Sequence, residues 1–188
     1  MSLQNLTFSH KTALALLVFT VAIVALYLMR PIADPDFFWH LKTGQWILQH
    51  KELPAVDPFL LAPPSANDLR AGFILTSYWF SQTIYAFLYA LGGWWGIAFV
   101  RVALAGAMAA LFASRCDLRQ PAAVCLLLLG AVQMLEVYPV ERPHMFSFVC
   151  FMALLVLLDR YRDQTESDGT TGLVAALVSV LMLTWSNL

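Results

Sequence analysis

Charge is scarce in this chain. Of its 188 residues only 12% are charged, with 11 Lys and Arg against 12 Asp and Glu and a formal net charge of −1 at pH 7. A protein that grips nucleic acid gathers basic residues on one face, so this balance excludes a nucleic-acid partner. Cysteine is nearly absent too. Cys116, Cys125 and Cys150 stand singly in or beside apolar stretches, without the paired spacing of a zinc site or a disulfide framework, and read as small core residues. No glycine-rich phosphate loop is present: Gly92, Gly93 and Gly96 form a helix connection with no basic residue close by. The first apolar segment lacks a small-residue cleavage site, which makes it a retained anchor rather than a signal peptide.

What the chain does have is apolar length. It is 60% hydrophobic, which excludes an ordinary soluble domain. A hydrocarbon core about 30 Å thick needs roughly 20 apolar residues per crossing. Five stretches approach that length, at 12–29, 94–114, 120–140, 144–161 and 171–188. The expected fold is therefore an all-α, polytopic membrane protein forming a single transmembrane module over 1–188.

One further stretch, FILTSYWFSQTIYAFLYAL at 73–91, decides the topology. It is long enough to span, yet Tyr78, Trp79, Tyr85 and Tyr89 are spread along it instead of gathering at the ends, as they would in an aromatic belt. If it lies flat in the interface, five spans result and a long first loop at 30–93 faces outside, with Lys11, Arg115, Arg119, Arg160 and Arg162 inside. If it crosses, six spans result, and Arg30, Lys42, Lys51 and Arg70 join the four arginines inside. Both arrangements satisfy the preference for basic cytoplasmic loops, and they differ in the side that 30–71 faces.

That loop carries the candidate chemistry. Within DPDFFWHLKTG, residues 36–49 predict a short amphipathic helix with Phe37, Leu41, Ile47 and Leu48 on its apolar side. Asp36 and His40 are then i and i+4 on one face. Asp34 and Asp36 stand at the helix start, where carboxylates complement the dipole. Asp34 also suits a plain N-cap for the turn containing Pro35. A second acid two positions on exceeds what capping requires, so Asp36 is the stronger functional candidate. Asp34, Asp36 and His40 form a weak three-ligand pattern for a divalent metal ion. His50, near the predicted helix end, reads as a solvated histidine.

A second polar cluster interrupts two apolar segments at EVYPVERPHMFS, residues 136–147. Glu141, Arg142 and His144 face the exterior in either topology. The Arg142 guanidinium suits bidentate phosphate binding, or else snorkels at a helix end beside Pro143. Glu136 and Arg101 lie inside apolar segments, where a charge is costly; Arg101 would bind a lipid phosphate or a loop carboxylate.

These residues carry a resemblance. The order of an N-terminal span, PDFFWHLKTGQWIL, YWFSQTIYAFLYALGG and GIAFVRVALAGAMAAL is similar to the front of the C-type glycosyltransferase fold. Within that fold it resembles a bacterial subgroup with a DxDxWWH-like motif, an ERPH-like turn and a W-x-N segment like Trp185-Ser186-Asn187. Phe38 stands where that subgroup often has tryptophan. The resemblance implies a multi-pass protein of the bacterial cytoplasmic membrane that moves a sugar from a polyprenyl-phosphate carrier to an extracytoplasmic acceptor. It places the first loop outside, favouring five spans with interfacial helices at 36–49 and 73–91. It puts the catalytic aspartate at Asp36, with Asp34 beside it. Family members have more spans, so the chain is expected to be a front module completed by further C-terminal spans or by a partner subunit. Asp36 would serve as general base in an inverting transfer. Arg142, supported by Arg101 or a divalent ion, would meet the leaving phosphate, with Glu141 and His144 alongside. Two rival readings stay open: a noncatalytic lipid-phosphate-binding or scaffold subunit, and a small six-span transporter using Glu136 and Arg101. No inverted repeat between the halves supports the transporter.

Overall fold

A computed structural model describes residues 9–62, 69–115, 120, 125–126, 129–130, 142–163 and 170–188. The described residues form six helices and no strand: α1 (His10–Leu28), α2 (Pro35–His50), α3 (Leu69–Thr76), α4 (Trp79–Ala113), α5 (His144–Asp163) and α6 (Thr170–Trp185). Two of them, Trp79–Ala113 and His144–Arg162, contain stretches long and apolar enough to cross a membrane, whereas the apolar stretches Leu14–Leu28 and Gly172–Trp185 are shorter. The expected span at 120–140 falls almost wholly outside the described residues.

Local chemistry sets the helix ends. Ser9 caps α1, its hydroxyl accepting the Thr12 N–H at 3.3 Å. Asp34 caps α2, and Pro35 takes the first position, where its missing N–H costs nothing. At the far end Lys51 turns left-handed at φ 58° and returns its N–H to the Ile47 carbonyl at 2.8 Å. The helix expected at 36–49 is thus present, one residue longer at each end.

The stretch expected as one helix at 73–91 is divided. α3 stops at Thr76, and α4 begins at Trp79 and continues to Ala113. Thirty-five residues would extend about 52 Å if straight, but Gly93 sits at φ 56°, ψ −137°, a conformation open only to glycine, and bends α4 into two arms, 79–92 and 94–113. The bend is tight enough that a Cβ on Gly96 would strike the Leu88 carbonyl.

Helix α2 lies against the first arm of α4. Its Phe37 and Leu41 join Tyr85, Ala86, Ile97, Val100, Phe146, Cys150 and Leu188 in one buried cluster, with Phe37 and Tyr85 edge to face at 5.2 Å. After α6, the chain returns to the start of α4. The Phe80 N–H and Ser81 hydroxyl donate to the carbonyls of Asn187 and Leu188 at 3.2 and 2.8 Å, and the Trp79 indole donates to Asn187 Oδ1 at 3.1 Å. The first of these occupies a backbone N–H that a helix start leaves without an intrahelical partner, and the other two add side-chain bonds to the same junction. Leu28, closing α1, packs on Met145 at the start of α5. The end of α1, all of α2, the start of α5 and the end of α6 therefore meet at one end of the bundle. At the other end Arg115, just past α4, pairs with Asp159 of α5 at 2.5 Å.

The α2–α4 contact depends on a missing side chain. A Cβ on Gly44 would overlap the Gln82 backbone carbonyl and press on Ala86 Cβ at 3.1 Å. Gly44→Ala should therefore destabilise the fold by about 1–3 kcal/mol, although alanine favours a helix interior by about 1 kcal/mol. Thermal unfolding in detergent measures this, and an unchanged or raised midpoint would contradict the close approach.

Candidate functional site

The site begins with a carboxylate withdrawn from water. The Asp34 side chain is 3% exposed, and its Oδ1 accepts the Asp36 backbone N–H at 3.1 Å. A buried anion needs a charged partner. Arg142, 108 residues further on, supplies it: Nε donates to Asp34 Oδ2 at 2.7 Å and Nη2 to Asp34 Oδ1 at 3.3 Å. The same Nη2 lies 2.6 Å from Asp36 Oδ2, so one guanidinium bridges two carboxylates. Burial works against the charge on Asp34. The Arg142 hydrogen bond, the Asp36 N–H and the nearby positive charge outweigh it and hold the carboxyl below its ordinary value. Arg142 is correspondingly raised by its bond to Asp34.

Asp36 differs from its neighbour in exposure. Its side chain is 57% exposed, open to an incoming molecule, and Arg142 holds one of its oxygens. His40, one turn along α2, is buried, and its Nδ1 lies 3.1 Å from Gln82 Nε2. Trp39 and Tyr78 meet the imidazole edge to face at 5.0 and 5.7 Å. Burial is the main cause that pushes His40 down to about 4, aided by Arg142 and His144 and opposed by Asp36 and Asp34. The ring is neutral at physiological pH. His144 opens α5, with its ring edge-on to Phe148 at 5.5 Å.

The expected candidates thus largely converge: Asp34, Asp36 and His40 from the first loop meet Arg142 and His144 from the second. Glu141 lies outside the described residues, as does Glu136. The three-ligand metal pattern is not realised, since no group of three His, Cys, Asp or Glu among the described residues is placed to hold a metal ion. Asp34 directs both oxygens to Arg142, and the guanidinium takes the cationic position between the acids.

Arg101 belongs to a neighbouring feature. It is 1% exposed and donates to the Arg30 carbonyl at 2.7 Å. Arg30 in turn donates to the Tyr27 hydroxyl at 2.6 Å and stacks over that ring at 4.5 Å. Both arginines line a cavity of about 420 Å³ whose walls are otherwise apolar, including Ile32, Phe38, Trp94 and Trp95. Phe38 stands two residues past Asp36, so cavity and ion cluster share helix α2.

Three participants were not expected from sequence. Gln82 is fully buried against His40. Asp57 receives the Trp39 indole N–H at 2.8 Å and the Phe59 N–H at 2.9 Å, folding the loop after α2 back onto it. Arg30 reaches the cavity. Each left a faint mark: a glutamine within an apolar helix, an Asp-Pro turn, and a cation closing a span.

No protein-family model, curated protein or solved structure matches this chain. Its chemistry is carried by the residues themselves.

The bridge predicts a coupling that folding experiments can read. Asn caps a helix about as well as Asp, so Asp34→Asn removes the charge and keeps the cap. In a cycle of Asp34→Asn, Arg142→Gln and the double variant, unfolding in mixed micelles should give a coupling energy of about 1–3 kcal/mol. Additive losses would contradict the pairing. Because the Asp34 value is depressed on folding, its contribution is fully present above the ordinary Asp value of about 3.9 and is lost as pH falls through the lower folded value. Asp34→Asn should flatten that acid limb.

Proposed function

We propose that the chain is the front module of a multi-pass membrane glycosyltransferase, moving a sugar from a polyprenyl-phosphate donor to an extracytoplasmic acceptor with Asp36 as general base. The observation that carries this reading is the junction of an exposed carboxylate, held by Arg142, with an apolar cavity edged by Arg30 and Arg101. A lipid phosphate has that same division, an anionic head on an apolar tail.

The membrane part rests on exposed surface. Phe19 and Leu26 of α1, Phe99 of α4 and Leu183 of α6 are 64–70% exposed, as lipid-facing side chains would be. On this reading the cluster end of the bundle faces outside, and the end holding Arg115, Arg160 and Arg162 faces the cytoplasm of a bacterial inner membrane, in line with the positive-inside preference. Five spans follow if 120–140 crosses as its composition suggests.

The chemistry is a displacement. The acceptor hydroxyl attacks the anomeric carbon, the bond from that carbon to the phosphate oxygen breaks, and Asp36 takes the hydroxyl proton. Arg142 is already engaged by two carboxylates, so its part is to orient Asp36. The charge of the departing polyprenyl phosphate falls to Arg101 and Arg30. Completion of the donor and acceptor sites by further spans or a partner subunit belongs to the same proposal. The engagement of Arg142 Nε and Nη2 by two carboxylates also favours a second reading, in which the chain binds lipid phosphate for a separate enzyme and does no chemistry itself.

Two measurements test the proposal. In nanodiscs the protein should bind polyprenyl phosphate about 10-fold or more tightly than the corresponding alcohol, and Arg30→Gln should remove most of that preference, since a charged hydrogen bond is worth about 1.5–3 kcal/mol. Equal binding of phosphate and alcohol would contradict a lipid-phosphate site. In the completed enzyme Asp36→Asn should abolish transfer with binding retained; persistent transfer would leave the binding-module reading.

A further inference from the structure

We infer that Gln82 is a positioning residue that holds neutral His40 with its proton on Nε2, making His40 a hydrogen-bond donor to ligands at the Asp36 cluster rather than a second base. The functional part of this inference rests on the transferase reading above; the structural part does not.

The geometry is set by backbone approach. His40 and Gly44 are i and i+4 on α2, one above the other on the face toward α4. Because Gly44 has no Cβ, the Gln82 backbone comes into contact with α2, which pins the start of its side chain one turn from the imidazole. Gln82 is 0% exposed, so its amide has no bulk water with which to exchange partners. Its Nε2 lies 3.1 Å from His40 Nδ1. In this orientation the amide N–H donates and Nδ1 accepts, so a neutral ring carries its proton on Nε2. Trp39 and Tyr78 both pack edge to face with the ring, restricting its rotation.

The same bond disfavours the charged ring. A second proton on Nδ1 would face the amide N–H donor to donor, adding to the burial that lowers the affinity of His40 for protons. Asp36 and Asp34 pull in the opposite direction, and Arg142 and His144 reinforce the neutral form. Two titratable groups one turn apart are thereby kept in separate roles. Asp36 is exposed and acts as proton acceptor. His40 is neutral and offers an N–H to a phosphate or sugar oxygen without competing for the proton that Asp36 takes.

The amide could instead be rotated, with Oε1 receiving a proton from Nδ1, and the two arrangements have opposite spectroscopic signatures. The test is nitrogen NMR of the protein labelled with ¹⁵N-histidine in nanodiscs, with His40→Gln identifying the His40 signals. At pH 7 the wild type should show a protonated Nε2 and an unprotonated Nδ1. Gln82→Glu places an acceptor and a negative charge on Nδ1, so it should move the proton to Nδ1 and raise the His40 midpoint by about one to three pH units. Gln82→Leu should leave a mixture of tautomers. A wild-type ring protonated on Nδ1 would overturn the inference and requires no variant to fold. A Gln82→Glu ring that titrates and resonates as the wild type does would overturn it too. These spectra are read without donor or acceptor, so they stand or fall independently of transfer activity.

Discussion

The guanidinium of Arg142 between Asp34 and Asp36 is the contact on which the candidate site depends. Asp34 is drawn out of water because it caps α2, and a buried carboxylate without a cation would be expensive. Arg142 supplies the cation from the turn before α5, joining two parts of the chain that sequence holds far apart. That joint aims the first turn of α2 and so places Asp36 at the surface with one oxygen already engaged. Tyr85, packed between Phe37 and Phe146, supports the same joint from beneath.

Two glycines make the arrangement possible. Gly93 folds α4 into two arms; α2 lies along the first, and Trp94 of the second meets Phe38 edge to face at 6.0 Å. Gly44 lets that surface come to backbone contact, which carries Gln82 to His40. Asp36 and His40 therefore sit on a helix packed against aromatic side chains, an arrangement suited to holding such groups in fixed geometry. The apolar cavity beside it opens along the same helix, with arginines at its margin.

Much of this was legible in the sequence, because local rules governed it. The Asp-Pro start of α2 is an N-cap signature, and the helix appeared within one residue of expectation. Gly92, Gly93 and Gly96 read as a helix connection, and the bend in α4 falls at Gly93. Asp34, Asp36, His40, Arg142 and His144 stand out in the sequence as candidates, and the fold brings them to one end of the bundle. What sequence could not show was pairing. Nothing local says that Arg142 faces two aspartates rather than a phosphate, or that the guanidinium takes the cationic place a metal ion would fill. The helix expected at 73–91 was broken near Ser77 because the start of α4 is bonded by Asn187 and Leu188, a contact invisible to periodicity. Gln82 looked like one of several scattered polar residues, since its meaning depends on a helix that precedes it by more than thirty positions.

On the proposed reading the Asp34–Arg142 end of the bundle faces outside the cell and the Arg115–Asp159 end faces in. Single cysteines at Ala55, an exposed position in the loop after α2, and at Arg160, near the end of α5, test it directly in a background without Cys116, Cys125 and Cys150. A membrane-impermeant thiol reagent applied to spheroplasts should label the cysteine at 55 at once and the cysteine at 160 only after the membrane is opened. Labelling of 55 only after opening, or of both from the same side, would contradict that orientation.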